Sequence, residues 1–400
     1  MKAIVCGAGI AGLAVANRLD AHGWDVVVLE QFPGPRGQGY MIDFFGPGYD
    51  AAEAMGLLPR LRELGYPISE ASFVDESGRV RASLGFHRFA NALGGDLISV
   101  LRPDLELALR ESLPERVDVL YNARLTDVTD NAAHSVRVTL ADGRSLDADL
   151  LIGADGIHSR VRREVFGPED DFLRYLGFHT AAFTFADPDV HAAVQGGFHL
   201  TDSIGAQMGL YGLRGGRVAV FAVHRTSDPT LPVDARTAVR DAYAGLGWLV
   251  PRALQLCPPS DEIFYDQVAQ SVLPCWRRGR TVLLGDAANA VSLLAGQGAS
   301  LAMGGAFVLA EHLASAADVE EALQRYEQEW RPVAEERQQA ARRSAHWFLP
   351  ENRAMLHVRR AALRLSALPG VDRLIGSTIS GKPTPVVRRH TGLTRDCRPL

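Results

Sequence analysis

The sequence predicts an α/β protein, in which a parallel, doubly wound sheet is interrupted by a mainly antiparallel one and followed by helices. Three observations predict it. An apolar strand run, a glycine turn and an apolar-periodic helix open the chain, and a second apolar strand follows, which requires a parallel pair with a right-handed crossover. The middle third, about residues 172–270, changes to alternating segments split by Gly and Asp-Pro turns, the pattern of antiparallel strands with one covered face. A continuous apolar strand and a long apolar helix then return at 280–315. One domain is therefore inserted into another.

The elements follow in order. Residues 2–6 (KAIVC) read as a buried strand, 10–22 as a helix and 25–30 (DVVVLE) as a second strand. A loop rich in Gly and Pro spans 31–48, then one short helix ends near Gly56 and another covers 59–64. Residues 72–84 form a hairpin turning at Glu76-Ser77-Gly78. A strand at 97–101 leads to a helix opened by Pro103, where a missing N–H costs nothing. Strands at 117–121, 124–130 and 135–140 come next, then an apolar strand at 150–152 and a helix from about 158. The inserted sheet is expected to use 178–185, 196–200, 205–213 and 217–224. A strand at 280–284 and a helix over 297–315 complete the returning part; from 320 to about 370 the pattern is helical, interrupted at Pro332, Pro350 and Pro369. The division expected is 1–70, 96–170 and 271–325 for the first domain, 71–95 and 171–270 for the inserted one, and 326–400 for a C-terminal helical segment.

Composition narrows the function classes. The 400 residues are 47% hydrophobic and 22% charged, far too apolar for a disordered chain. Four cysteines (Cys6, Cys257, Cys275 and Cys397) include no CxxC pair, which argues against a disulfide framework, a paired-cysteine metal site or dithiol chemistry. Met1 leads at once into a strand, and no apolar run approaches the ~18–20 residues of a membrane span, so a cytoplasmic, reducing environment is expected. A net charge of −5 argues against nucleic-acid binding. Residues 331–400 nevertheless carry 14 Lys and Arg against 5 Asp and Glu. These are interleaved with core-type apolar residues, so the segment is expected to pack on its own acidic body rather than seek phosphate or a membrane. Glycine, at 39 residues, exceeds the usual ~7%, and the excess concentrates in three motifs.

The first motif is Gly7-Ala8-Gly9-Ile10-Ala11-Gly12 between a strand and a helix. Gly7 permits a tight turn, Gly9 lets a pyrophosphate approach the backbone, and Gly12 permits close helix–strand packing; free N–H groups at the helix start then face the phosphates. Glu30, 18 residues past Gly12, is placed to accept hydrogen bonds from a ribose. Its carboxylate disfavours a 2′-phosphate, so FAD or NAD is expected there rather than NADP. In the second motif, Leu150–Arg160 (LLIGADGIHSR), a buried strand presents Asp155 at its carboxyl end, while an Asp-Gly turn with Ser159 as a helix cap explains the same residues structurally. In the third, Gly285-Asp286-Ala287-Ala288 ends a strand and Gly296-Gln297-Gly298-Ala299 opens a long helix whose amides would face developing negative charge.

In this order and spacing the motifs resemble the class A flavoprotein monooxygenases, the family of para-hydroxybenzoate hydroxylase and the tetracycline-degrading monooxygenases. The resemblance spans roughly residues 1–315 and includes a fourth fingerprint, Val100-Leu101-Arg102-Pro103-Asp104-Leu105. It implies a Rossmann-type FAD-binding domain with an inserted, mainly antiparallel substrate domain and C-terminal helices. It also implies non-covalent FAD, with Arg102 and Asp286 at its ribityl and pyrophosphate region and Asp155 influencing both FAD and NADPH. The segment Arg36–Asp43 (RGQGYMID) resembles the stretch beside the isoalloxazine, which implies Arg36 for the nicotinamide cofactor and Asp43 for FAD. NADH or NADPH would reduce the flavin, O₂ would form a C4a-hydroperoxide, and one oxygen atom would pass to an aromatic or polycyclic small molecule.

The third motif departs from the family. Asn289 replaces a histidine, Ser292 and Leu293 replace prolines, Ser300 replaces an asparagine, and the family's helix aspartate is missing, with Gly304-Gly305 in its neighbourhood. No catalytic residue is readable. His224 and Tyr211 are candidate bases by location only, and an ordinary sheet residue is the better reading of each. Phe178, Phe183, Phe185, Phe198, Met208, Tyr211 and Phe221 would line a substrate cavity or form the sheet's own core, with Trp347 and Phe348 closing it. A flavin-dependent halogenase is disfavoured by the lack of a WxWxIP segment. A flavin dehydrogenase or reductase and a catalytically silent FAD-containing ligand-binding protein remain as alternatives.

Overall fold

Ala3, Ile4 and Val5 are fully buried in the strand Lys2–Cys6, which requires cover on both faces of the sheet that holds it. The computed structural model describes residues 1–37, 39–86, 90, 96–131, 135–292, 296–366 and 384–391. Lys2–Cys6 pairs in parallel with Asp25–Leu29 on one side and Leu150–Gly153 on the other. The six-stranded sheet runs Arg277–Arg278, Thr281–Leu283, Leu150–Gly153, Lys2–Cys6, Asp25–Leu29, Asp118–Leu120, and only the first pair is antiparallel. Helices Ile10–Ala21 and Gly298–Ser315 pack on each other beside it. The second is buried through most of its 18 residues, as expected of a helix apolar nearly all round. No described helix is long and apolar enough to cross a membrane.

The middle of the chain builds a seven-stranded sheet: Phe264–Ser271, Leu173–Ala186, Arg217–Arg225, Ala206–Gly212, Gly197–Thr201, Glu70–Val74, Val80–Gly85. All neighbours are antiparallel except Gly197–Thr201 with Glu70–Val74. Its two faces separate the aromatic side chains. Phe183, Phe185 and Met208 pack outward with Val190, Val239 and Tyr243 of the helices Pro188–Val194 and Ala235–Tyr243. Phe178, Phe198, Tyr211 and Phe221 belong to two other clusters, one of which takes in Met41, Tyr66 and Leu101 from outside the sheet. The seven residues therefore form two layers of core rather than one cavity wall.

Three local expectations change. The 31–48 loop contains a strand, Met41–Phe45, which escapes notice because Gly and Pro flank it; it pairs with Leu97–Leu101. Pro332 does not interrupt: helix Val319–Phe348 runs through it. The lost backbone bond is offset by Trp330, Val333 and Ala334, all buried around it. The helices Pro188–Val194, Ala235–Tyr243 and Val250–Gln255 and the strand Phe264–Ser271 belong to a region whose pattern read as mainly sheet and gave no position for them. Leu293, Pro369, Cys397 and the side chains of Trp347 and Phe348 lie outside the described residues.

Candidate active site

Three parallel strands end at one edge of the first sheet, and each delivers a motif there. The Gly7 N–H donates to the Leu29 carbonyl at 2.7 Å and the Ala154 N–H to the Cys6 carbonyl at 2.8 Å, so the first two motifs are stitched together by backbone. Gly7 adopts φ +108°, and a Cβ there would lie 2.4 Å from the Ala154 carbonyl oxygen; one on Gly12 would lie 1.9 Å from that of Gly7. A Cβ on Gly9, by contrast, would meet only the Arg102 and Glu106 side-chain tips at 3.9 Å, in the space left for a ligand's phosphates. Glu30 accepts from the Ala8 N–H at 3.0 Å and the Phe32 N–H at 3.0 Å, which fixes the carboxylate at the end of its strand.

The charged residues are held by their neighbours. Arg102, at the start of helix Arg102–Glu111, lies 3.0 Å from Glu106 one turn on. Burial works against its charge, but Glu106 with Tyr40, Asp286 and Glu30 holds its pKa above the ordinary value. Asp286 faces the open cleft; burial raises its carboxyl and the Arg102 charge opposes. Asp155 turns back to its own helix, accepting from the Arg160 N–H at 2.7 Å, the Val161 N–H at 3.0 Å and the Ser159 hydroxyl. Burial raises it and those bonds lower it. Arg162, fully buried, donates to the Ile157 carbonyl at 2.6 Å and the Ala287 carbonyl at 3.0 Å, tying the second motif to the third. His158 bridges Glu169 at 3.0 Å and Asp266 at 3.1 Å, and the Asp266 hydrogen bond leads in pushing its pKa up to about 9.

These strand ends open onto a cavity of about 600 Å³. Among the anticipated residues Gly7, Gly9, Ile10, Ala11, Glu30, Arg36, Arg102, Asp155, Asp286, Gly296, Gly298 and Ala299 line it. Gly12, Asp43, Gly285 and Gln297 are not on its wall: Gly12 and Gly285 support the turns, Gln297 is buried, and Asp43 accepts a hydrogen bond from the Ser99 hydroxyl at 2.6 Å. Tyr211 is not on the wall either. Its hydroxyl accepts from the Met41 N–H at 2.6 Å, which pins the loop beside the cavity to the sheet. His224 meets the Tyr243 hydroxyl at 3.1 Å, off the cavity wall, and burial with His179 lowers its pKa to about 4.

Sequence reasoning passed over the far wall. Tyr40 lies with its ring 5.6 Å from Phe221 and 5.9 Å from Phe264, and Thr180, Phe264, Asp266 and Val268 face the cavity from the seven-stranded sheet. A second cavity of about 740 Å³ adjoins at the rim between Phe32–Gly37 and Asp261–Asp266, and Arg36, Arg102 and His158 line both. Tyr40 lies within the Arg36–Asp43 segment; the sheet residues carry no motif, and Phe264, Asp266 and Val268 are placed only by the strand Phe264–Ser271.

The departures in the third motif have local partners. Ser300 accepts the Gly48 N–H at 2.9 Å and donates to the Phe45 carbonyl, joining the long helix to the turn after strand Met41–Phe45. Gly304 and Gly305 make room for Trp330: a Cβ on either would lie 2.8 Å or 2.5 Å from the indole. Ser292 adopts φ +119°, which a proline ring, fixed near −65°, forbids. The loop therefore follows a path that a proline at this position excludes.

A cradle without Cβ atoms at Gly9, a carboxylate fixed at the second strand end, and a guanidinium and a carboxylate facing each other along one cleft fit a dinucleotide. Fold and site together define an α/β flavoprotein of the FAD-binding type. A family model described as "FAD binding domain" matches residues 1–341. A Mycobacterium tuberculosis protein of undetermined function is 36% identical over 79% of this chain and 85% of its own length. A flavin-dependent monooxygenase of Legionella longbeachae is 30% identical over 78% of this chain and 80% of its own. The crystal structure of the tetracycline destructase Tet(55) matches at a TM-score of 0.79 and 25% identity, covering 96% and 98% of the two chains. The chain belongs to the class A, flavin-dependent monooxygenase family of oxidoreductases built on this FAD-binding domain.

Proposed function

We propose that the protein is an NAD(P)H-dependent monooxygenase that hydroxylates a flat aromatic or polycyclic small molecule. The observation that carries this reading is one continuous cavity that runs from the Gly7–Gly12 cradle to a wall built of Tyr40, Phe264 and Thr180. In it the Gly9 backbone and the first helix's N-terminal amides hold the pyrophosphate, Glu30 the ribose, and Arg102 and Asp286 the ribityl region. Amides at Gly296 and Gly298 aim positive potential at the inner end. Bound FAD supplies two-electron exchange with a nicotinamide and the activation of O₂ for transfer of one oxygen atom. The sheet side chains exclude water and orient the substrate. Arg36 stacks on Phe32 at 4.4 Å on the outer rim, where a nicotinamide cofactor would approach.

The test follows NADH and NADPH oxidation by the purified yellow protein with and without a panel of aromatic ligands, with product masses read in parallel. Ligand-stimulated oxidation and a product heavier by one oxygen atom are expected. Steady oxidation with no oxygenated product across a broad panel would move the assignment to a reductase or a ligand-binding flavoprotein. Gly9→Val fills the phosphate space without touching the sheet cores, and should lower FAD affinity at least about tenfold, the effect of one lost ~1.4 kcal/mol contact. Unchanged FAD binding in that variant would remove the cradle from the site.

A further inference from the structure

Away from the cleft, three helices bring three ligand-type side chains to one point. His312 lies in the last turn of Gly298–Ser315, Glu329 in Val319–Phe348, and His390 in Val386–Thr391. The Nε2 atoms of both histidines stand 2.8 Å from one carboxylate oxygen, Glu329 Oε2, and the imidazoles meet edge to face with centroids 5.0 Å apart. All three donor atoms lie within 4.8 Å of one another; among the described residues no other three His, Cys, Asp or Glu converge in this way. The second oxygen of Glu329 accepts separately from Arg389 at 3.1 Å, which leaves Oε2 as one directed donor.

We propose that His312, Glu329 and His390 form a binding site for a zinc ion, which staples the C-terminal helix to the two long helices. Zinc holds imidazole nitrogen at 2.0–2.1 Å and carboxylate oxygen at about 2.0–2.2 Å, so tetrahedral ligand atoms stand about 3.3 Å apart. Each N···O distance therefore opens by about half an ångström, and the two Nε2 atoms, within 4.8 Å of each other, come to the same spacing by rotation of the side chains. Zinc would take the Nε2 lone pair of each neutral imidazole, whose proton then sits on Nδ1. Two nitrogens, one oxygen and a water complete a four-coordinate shell. Arg389, sharing the same carboxylate, opposes the incoming charge.

The experiment uses the untagged full chain, stripped with chelator, dialysed against micromolar zinc and assayed for metal by elemental analysis. One zinc per chain is expected. Glu329→Gln and His390→Asn should each weaken binding by about tenfold or more, while Arg389→Gln should tighten it several-fold. His357→Asn, exposed on another helix, should leave it unchanged and so controls for adventitious surface binding. Far-UV circular dichroism and unfolding midpoints establish that each variant is folded. Absence of stoichiometric zinc in the natural chain, or equal zinc binding in folded Glu329→Gln and His390→Asn, overturns the site and leaves the cluster as a hydrogen-bonded clasp.

Discussion

At the scale of single residues, Ser292 shows how a departure from a family pattern answers a backbone demand. A non-glycine residue at φ +119° costs about 1–3 kcal/mol and persists only where its surroundings hold it, here on the cavity wall. Ser292→Gly should raise the free energy of unfolding by about 1 kcal/mol in urea titration. Ser292→Pro should lower it by about 3 kcal/mol or more; equal stability of the two variants would show that the loop does not take this path. The motif glycines and Glu30 were legible because each answers a demand set within a few residues of chain. The reasons for Ser300 and Gly305 were not, since Gly48 and Trp330, which explain them, stand far away in the sequence.

At the scale of elements, His158 joins the second motif to Glu169 and to Asp266 on strand Phe264–Ser271. The folded pKa of about 9 exceeds the ordinary 6.5, so the bridge contributes fully below about pH 6.5 and is lost as pH rises through about 9. More than a third of the side chain is exposed, so solvent screening reduces the effect to about 1 kcal/mol. Unfolding free energy should therefore fall by about that amount across the window, and His158→Gln should flatten the fall. A variant that keeps the natural slope would assign it to another group. Strands and helices with strong periodicity were readable in advance. Strand Met41–Phe45 and the passage through Pro332 were not, because tertiary packing (pairing with Leu97–Leu101, and the burial of Trp330, Val333 and Ala334) overrides local preference.

At the scale of the whole molecule, the basic C-terminal segment meets the acidic body. Asp202, buried, takes Arg359 at 2.8 Å and Arg360 at 2.5 Å; Arg388 reaches Asp50 and Asp96, and Arg389 reaches Glu329. Part of the charge asymmetry visible in the sequence is thus paired within the fold. Asp202→Ala removes the carboxylate shared by two guanidinium groups, one of them buried. It should cost about 3 kcal/mol in urea unfolding and make helix Arg353–Ser366 the first site of limited proteolysis. Cleavage unchanged in rate and position would mean that packing, such as Arg359 over the Phe73 ring at 4.7 Å, holds the helix alone.

The Trp330 indole seated in the notch at Gly304 and Gly305 makes these three positions epistatic. Enlarging either glycine alone drives a methyl group into the ring, and shrinking Trp330 alone leaves a void, so a single-substitution scan would score all three as intolerant. Paired changes, with a smaller residue at 330 and a larger one at 305, should be tolerated where neither step is by itself.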